Sequence, residues 1–141
     1  MEIKVNWLNN MTFEGSGKTG SKILMDTPVD KGGEDKGPTP KEVYLMSVAG
    51  CTAMDVVSIL KKKRLTVTNL EIKVSADEII DTHPHVFTKI KIHYSISGKD
   101  LTEPAVKQAI VLSQDKYCGV SEMMRQAFEI EYTFEFNNDE E

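Results

Sequence analysis

The sequence has little sulfur, no excess of positive charge and no uninterrupted apolar run, and each shortage excludes a class of protein. Two cysteines among 141 residues are too few for a disulfide-stapled scaffold. Seventeen basic against 22 acidic side chains leave a formal net charge of -5, which opposes the phosphate neutralisation behind most nucleic-acid affinity. No nucleic-acid partner is expected. The opening MEIKVNWLNN is charged from its second residue and has no apolar region ahead of a small-residue cleavage site. It does not read as a secretory signal, and a cytoplasmic location is expected. The most apolar stretch, Val43 to Leu60, is interrupted by Ser47, Thr52, Asp55 and Ser58. An intramembrane Asp would be costly, so a helix buried in a soluble protein is expected, with no membrane partner. No internal repeat is visible, and 40% hydrophobic with 28% charged residues at this length predicts one domain over residues 1–141.

What is present is strong period-two patterning. Ile3, Val5 and Trp7 alternate with polar residues, as do Leu70, Ile72, Val74 and Ala76, and both runs predict half-buried strands. Val86, Thr88, Ile90, Ile92, Tyr94 and Ile96 form the dry face of a third run, and Phe128, Ile130, Tyr132, Phe134 and Phe136 that of a fourth. Sheets with one wet face are usually antiparallel and need helices over the other. Weaker strands at Met11–Glu14 and Lys22–Met25 flank EGSGKTGS, which reads as a hairpin turn. Residues 30–40 are a polar loop.

A long helix then begins with a capping box: Thr39 at the N-cap, Pro40 in the first turn and Glu42 three residues on. It ends in the basic run Lys61 to Arg64, which suits the helix dipole. A second helix is predicted from Thr102 to about Lys116 and a third over Val120 to Gln126. At 100° per residue, Ser47, Cys51, Asp55 and Ser58 stack in one narrow stripe of the first helix. The rest of its surface is apolar, which predicts enclosure on nearly every side and an oligomer interface. Cys51 thus lies among the helix's few polar groups, where a reactive thiol would be, although small buried cysteines are common. Cys118 stands at the predicted start of the third helix, where backbone N–H groups favour thiolate.

These motifs, GPTPKEVYLMSVAGCTAMDVVSIL and LSQDKYCGVSEMM, resemble the OsmC/Ohr family, and within it the YhfA-type branch. The resemblance covers nearly the whole chain. It implies an α+β fold with antiparallel sheets packed on a central long helix in an intertwined homodimer. It also implies thiol-dependent reduction of organic hydroperoxides: Cys51 attacks the peroxide and becomes sulfenic acid, Cys118 condenses with it to a disulfide, and an external dithiol of lipoyl-protein or thioredoxin type restores both thiols. No metal or organic cofactor is needed.

Peroxidases of this family pair an N-terminal arginine with a glutamate just before the cysteine helix. Here residues 1–40 contain no arginine, Lys41 stands where that glutamate usually falls, and Glu42, the third candidate catalytic residue, sits one position later. Lys18, Lys22, Lys41, Arg64 and Arg125 are candidate replacement cations. A second reading, of another class, is a non-catalytic redox sensor or binder of a small apolar ligand. A third, metal binding by Cys51, Cys118, His83 and His85, matches no compact zinc spacing.

Overall fold

Period-two patterning becomes strand in six places among the described residues of the computed structural model, which describes residues 1–140. The chain divides into two units, Met1–Leu45 and the part from Met46 onward. In the first, β1 (Lys4–Asn9), β2 (Thr12–Ser16) and β3 (Lys22–Met25) form an antiparallel sheet in that order. The predicted hairpin around EGSGKTGS joins β2 to β3, pairing Ser16 with Lys22. The following loop is held by Asp26, a buried carboxylate that accepts hydrogen bonds from Thr12 Oγ1 at 3.2 Å, Thr27 N at 2.7 Å and Lys36 N at 3.2 Å. Burial opposes its ionisation, yet the hydrogen bonds outweigh it and hold the carboxyl below its usual range.

The capping box forms as predicted. Glu42 Oε2 accepts from Thr39 N at 2.6 Å and from Thr39 Oγ1 at 2.8 Å, while Glu42 N donates to Thr39 Oγ1 at 3.3 Å. From this start α1 runs over Pro40–Lys62 and closes on Lys61 and Lys62. Its length and hydropathy would suffice to cross a membrane, but its buried residues are a single stripe, Val48, Thr52, Val56 and Leu60, built into the core of the second unit.

That core comprises the α1 stripe, Ile90, Ile92, Tyr94 and Ile96 of β5 (Phe87–Lys99), and Val106, Ala109 and Ile110 of α2 (Glu103–Leu112). The sheet has the order β4-β5-β6, with β4 (Thr66–Glu78) antiparallel to β5 and β6 (Glu129–Asn138) parallel to it. On its wet face Lys91 pairs with Asp77 at 3.0 Å, Lys89 with Glu131 at 2.6 Å, and Ser95 donates to Glu135 at 2.8 Å. Gly98 is obligatory in β5, because a Cβ there would lie 1.9 Å from the Thr66 carbonyl oxygen.

Three expectations change. The parallel pairing of β6 breaks the all-antiparallel expectation, because α2, a wide π-type turn at Ser113–Tyr117 and α3 (Gly119–Arg125) return the chain to the end of the sheet where β5 began. The predicted helix to Lys116 accordingly ends at Leu112. Finally, the N-terminal strand and α1 are not enclosed within one chain: Trp7 is 66% exposed and Met54 76%.

Candidate functional site

The site is built where α1 meets the turn between α2 and α3. Cys51 and Asp55 are four residues apart on α1, so a single helical face presents both. Cys118 is the N-cap of α3, as predicted, with its backbone extended at φ -74°, ψ 94°. The π-type turn places it there: Cys118 N donates to Ser113 O at 2.8 Å, closing the wide loop. Its sulfur accepts from Ser121 N at 3.3 Å and from Ser121 Oγ at 3.2 Å. Both cysteines are free thiols, Cys118 buried and Cys51 half-buried. Their sulfurs and a carboxylate oxygen of Asp55 all lie within 4.8 Å of one another.

This surrounding sets the chemistry of Cys51. Burial is the first cause pushing its thiol above the ordinary value, the Cys118 thiol beside it the second, and the Asp55 charge adds to both. The backbone N–H of Val120 acts in the opposite direction without reversing the outcome.

Behind the sulfurs runs a chain of hydroxyls. Gln114 Nε2 lies 2.8 Å from Tyr94 Oη, Tyr94 Oη 2.7 Å from Thr52 Oγ1, Thr52 Oγ1 2.8 Å from Ser113 Oγ, and Ser113 Oγ 2.9 Å from Asp55 Oδ2. Each hydroxyl carries one proton, and the carboxylate can only accept. Ser113 therefore donates to Asp55, Thr52 to Ser113, Tyr94 to Thr52, and the Gln114 amide to Tyr94. Every dipole in the chain points toward Asp55. Sequence reading passed over Thr52, Tyr94, Ser113 and Gln114. The available signal was a hydroxyl on an otherwise apolar face, Tyr94 between Ile92 and Ile96 and Thr52 between Val48 and Val56.

A cleft of about 280 Å³ opens beside Asp55, lined by Ser58, Ile59, Lys62, Lys63, Leu112 and Tyr117. Of the candidate cations, Lys22 pairs with Glu14 at 2.9 Å, while Arg125 holds Glu122 at 2.9 Å and the Gln114 carbonyl at 3.1 Å. Arg125 thus anchors the turn that carries Cys118. Glu42 spends its carboxylate on the cap: the Thr39 N–H first and the Thr39 hydroxyl second hold it below the usual carboxylate range. His83 and His85 stack on each other at 4.3 Å in the loop before β5. The ligand-capable group containing both sulfurs has Asp55 as its third member and includes neither histidine.

A mixed α+β fold with a distant cysteine pair gathered at the middle of a long helix defines a class of thiol proteins, and comparison with known proteins narrows it. Residues 33–133 match the OsmC-like protein family. Protein YhfA of Escherichia coli K12 is 39% identical over 135 residues, 96% of this chain and 97% of that protein. The chain belongs to the OsmC-like family. The solved structure of a hypothetical protein from Aquifex aeolicus is similar with a TM-score of 0.84 and 30% identity, over 99% of this chain and 97% of that one. An organic hydroperoxide resistance protein, OsmC, from Legionella pneumophila has a TM-score of 0.67 at 15% identity, over 94% of each chain, a likeness of fold alone.

Proposed function

We propose that this protein reduces organic hydroperoxides with its two cysteines, and the observation that carries the reading is the approach of the Cys51 and Cys118 sulfurs to within 4.8 Å. A disulfide needs the sulfurs at about 2 Å, so rotation of Cys51 and a small shift of the Ser113–Tyr117 turn would close the gap. Cys51 as thiolate attacks the distal peroxide oxygen. The O–O bond breaks, the alcohol leaves with a proton, and the sulfur is left as sulfenic acid. The Cys118 thiol condenses with it, releasing water and forming the disulfide. A dithiol of lipoyl-protein or thioredoxin type reduces the pair by exchange, itself becoming the disulfide.

Ile59, Leu112 and Tyr117 give the neighbouring cleft an apolar floor suited to a hydrocarbon-tailed peroxide rather than hydrogen peroxide. Glu42 enters this reading through the cap that starts α1. The protein acts as a cytoplasmic homodimer.

The test is thiol titration of the fully reduced protein after one equivalent of cumene hydroperoxide. Loss of both thiols per chain is expected, with none lost in Cys51→Ser and a trappable sulfenic acid in Cys118→Ser. Two thiols remaining in the parent protein would refute the proposal.

The raised Cys51 thiol favours a second reading, a slow redox sensor holding a small apolar ligand. It predicts no rapid peroxide-dependent disulfide and no sustained peroxide consumption with excess dithiol, whereas the peroxidase turns over many equivalents.

A further inference from the structure

Hydroperoxide reduction uses the two sulfurs and leaves Asp55 without a part. Asp55 is nonetheless the end of a largely buried polar chain in the second unit and sits within 4.8 Å of both sulfurs. Three atoms that bind metals as anions, two thiolates and a carboxylate, are therefore gathered at one point. We propose that Cys51 Sγ, Cys118 Sγ and Asp55 Oδ together bind one zinc ion, with a fourth position left open to water or a small anion.

Ligand spacing fits. With zinc–sulfur bonds of about 2.3 Å and zinc–oxygen bonds of about 2.0–2.2 Å, tetrahedral ligands lie about 3.5–3.8 Å from one another. Separations no greater than 4.8 Å need to close by about 1.3 Å at most, within reach of side-chain rotation on α1. Two ligands come from positions i and i+4 of a packed helix, the spacing of helical zinc-chelating pairs, and the third from a turn fastened to that helix by the Ser113 hydroxyl. This is why no compact zinc motif is legible: Cys51 and Asp55 share a stripe of α1, but Cys118 arrives from a distant turn.

The outer shell is also in place. Metal-ligating carboxylates are held by hydrogen bonds, and Ser113 Oγ donates to Asp55 Oδ2 at 2.9 Å with Thr52 and Tyr94 aligned behind it. Coordinating thiolates gain from N–H and O–H donors, and Cys118 Sγ has both, from Ser121 at 3.3 and 3.2 Å. Two sulfur ligands select zinc over magnesium or calcium, and three protein ligands with an open fourth position are the pattern of zinc sites that keep a coordination place free rather than of closed structural ones.

Binding replaces the two thiol protons with the ion. A zinc-held dithiolate cannot simultaneously become the disulfide, so metal and oxidation exclude each other at this site. The binding itself does not depend on peroxidase activity.

Cobalt(II) titration of the reduced, metal-free full chain tests the site without any turnover assay. One equivalent should produce thiolate-to-cobalt charge-transfer absorption with tetrahedral d–d bands, displaced by one equivalent of zinc. Cys51→Ser and Cys118→Ser should each lose about half of the charge-transfer intensity, and Asp55→Ala should weaken zinc binding at least tenfold in competition with a chromophoric chelator. Urea unfolding of each variant identifies any that fail to fold. A folded Asp55→Ala with parent affinity, or charge-transfer absorption undiminished in Cys118→Ser, overturns the proposal. So does cobalt binding without sulfur charge transfer.

Discussion

Cys51 is a half-buried thiol between a second thiol and a carboxylate, and all three circumstances oppose its ionisation. Thiolate is therefore scarce at neutral pH, so the rate at which the metal-free protein reacts with cumene hydroperoxide should climb steadily as pH approaches and passes 9.0, the reference value for a thiol. Stopped-flow measurement of that rate against pH checks this, and a plateau already reached at neutral pH would contradict it. Replacing Asp55 with Asn removes a like charge and should move the whole profile toward lower pH. Tyr94 titrates in the same sense for a different purpose. Burial first, against the hydrogen bonds of Thr52 and Gln114, pushes its phenol from 10.0 up to about 12. The folded state thus favours the neutral phenol; its contribution is whole below pH 10 and is lost between pH 10 and about 12. A gap of about two pH units corresponds to about 3 kcal/mol, read as a fall in urea midpoint over that window that Tyr94→Phe should lack.

Elements were legible where their signals are local. The Thr39–Glu42 box marked the start of α1 to the residue, and Thr39→Ala should cost about 0.5–2 kcal/mol in urea unfolding, the usual worth of an N-cap. Alternation placed β4, β5 and β6 because a half-buried strand must alternate. The end of α2 was not legible: the π-type turn follows from Cys118 N reaching Ser113 O and from Ser113 meeting Thr52 and Asp55, contacts with another element. Thr52 makes the same point from the α1 side. Thr52→Val keeps the volume but takes from buried Tyr94 its hydrogen-bond acceptor and from buried Ser113 its donor, and a loss of about 1–3 kcal/mol is expected by denaturant titration. A loss below the error of that measurement would mean the hydroxyl chain repacks.

At the scale of the molecule, a large part of the apolar surface stays exposed. Ile3, Trp7 and Ile23 in the first unit and Met54 and Met123 in the second are each more than half exposed, and a groove of about 350 Å³ between Ile3, Val5, Ile23, Met25 and Val43 is almost wholly apolar. A second copy of the chain is expected to cover such surface, so sedimentation equilibrium should give a dimer. Met54→Asp should shift it to monomer without loss of helical circular dichroism. A parent protein that sediments as a monomer at micromolar concentration would contradict this. Within its own chain α1 buries only its Val48–Thr52–Val56–Leu60 stripe, although it is apolar on nearly every side.

The sequence by itself determined the α+β class and most strand and helix positions, because each is written in spacing of two, of 3.6 or in a capping pattern a few residues long, while the stretches around its two cysteines carried the resemblance to the OsmC/Ohr family. Tertiary structure alone decided that β6 runs parallel to β5, that Cys118 joins Cys51 and Asp55, and that four hydroxyl and amide groups from α1, β5 and the Ser113–Tyr117 turn link into a hydrogen-bond chain ending on Asp55. Those arrangements join residues tens of positions apart. Nothing local encodes them, since they arise only when burying the apolar faces forces the polar groups left inside to find one another.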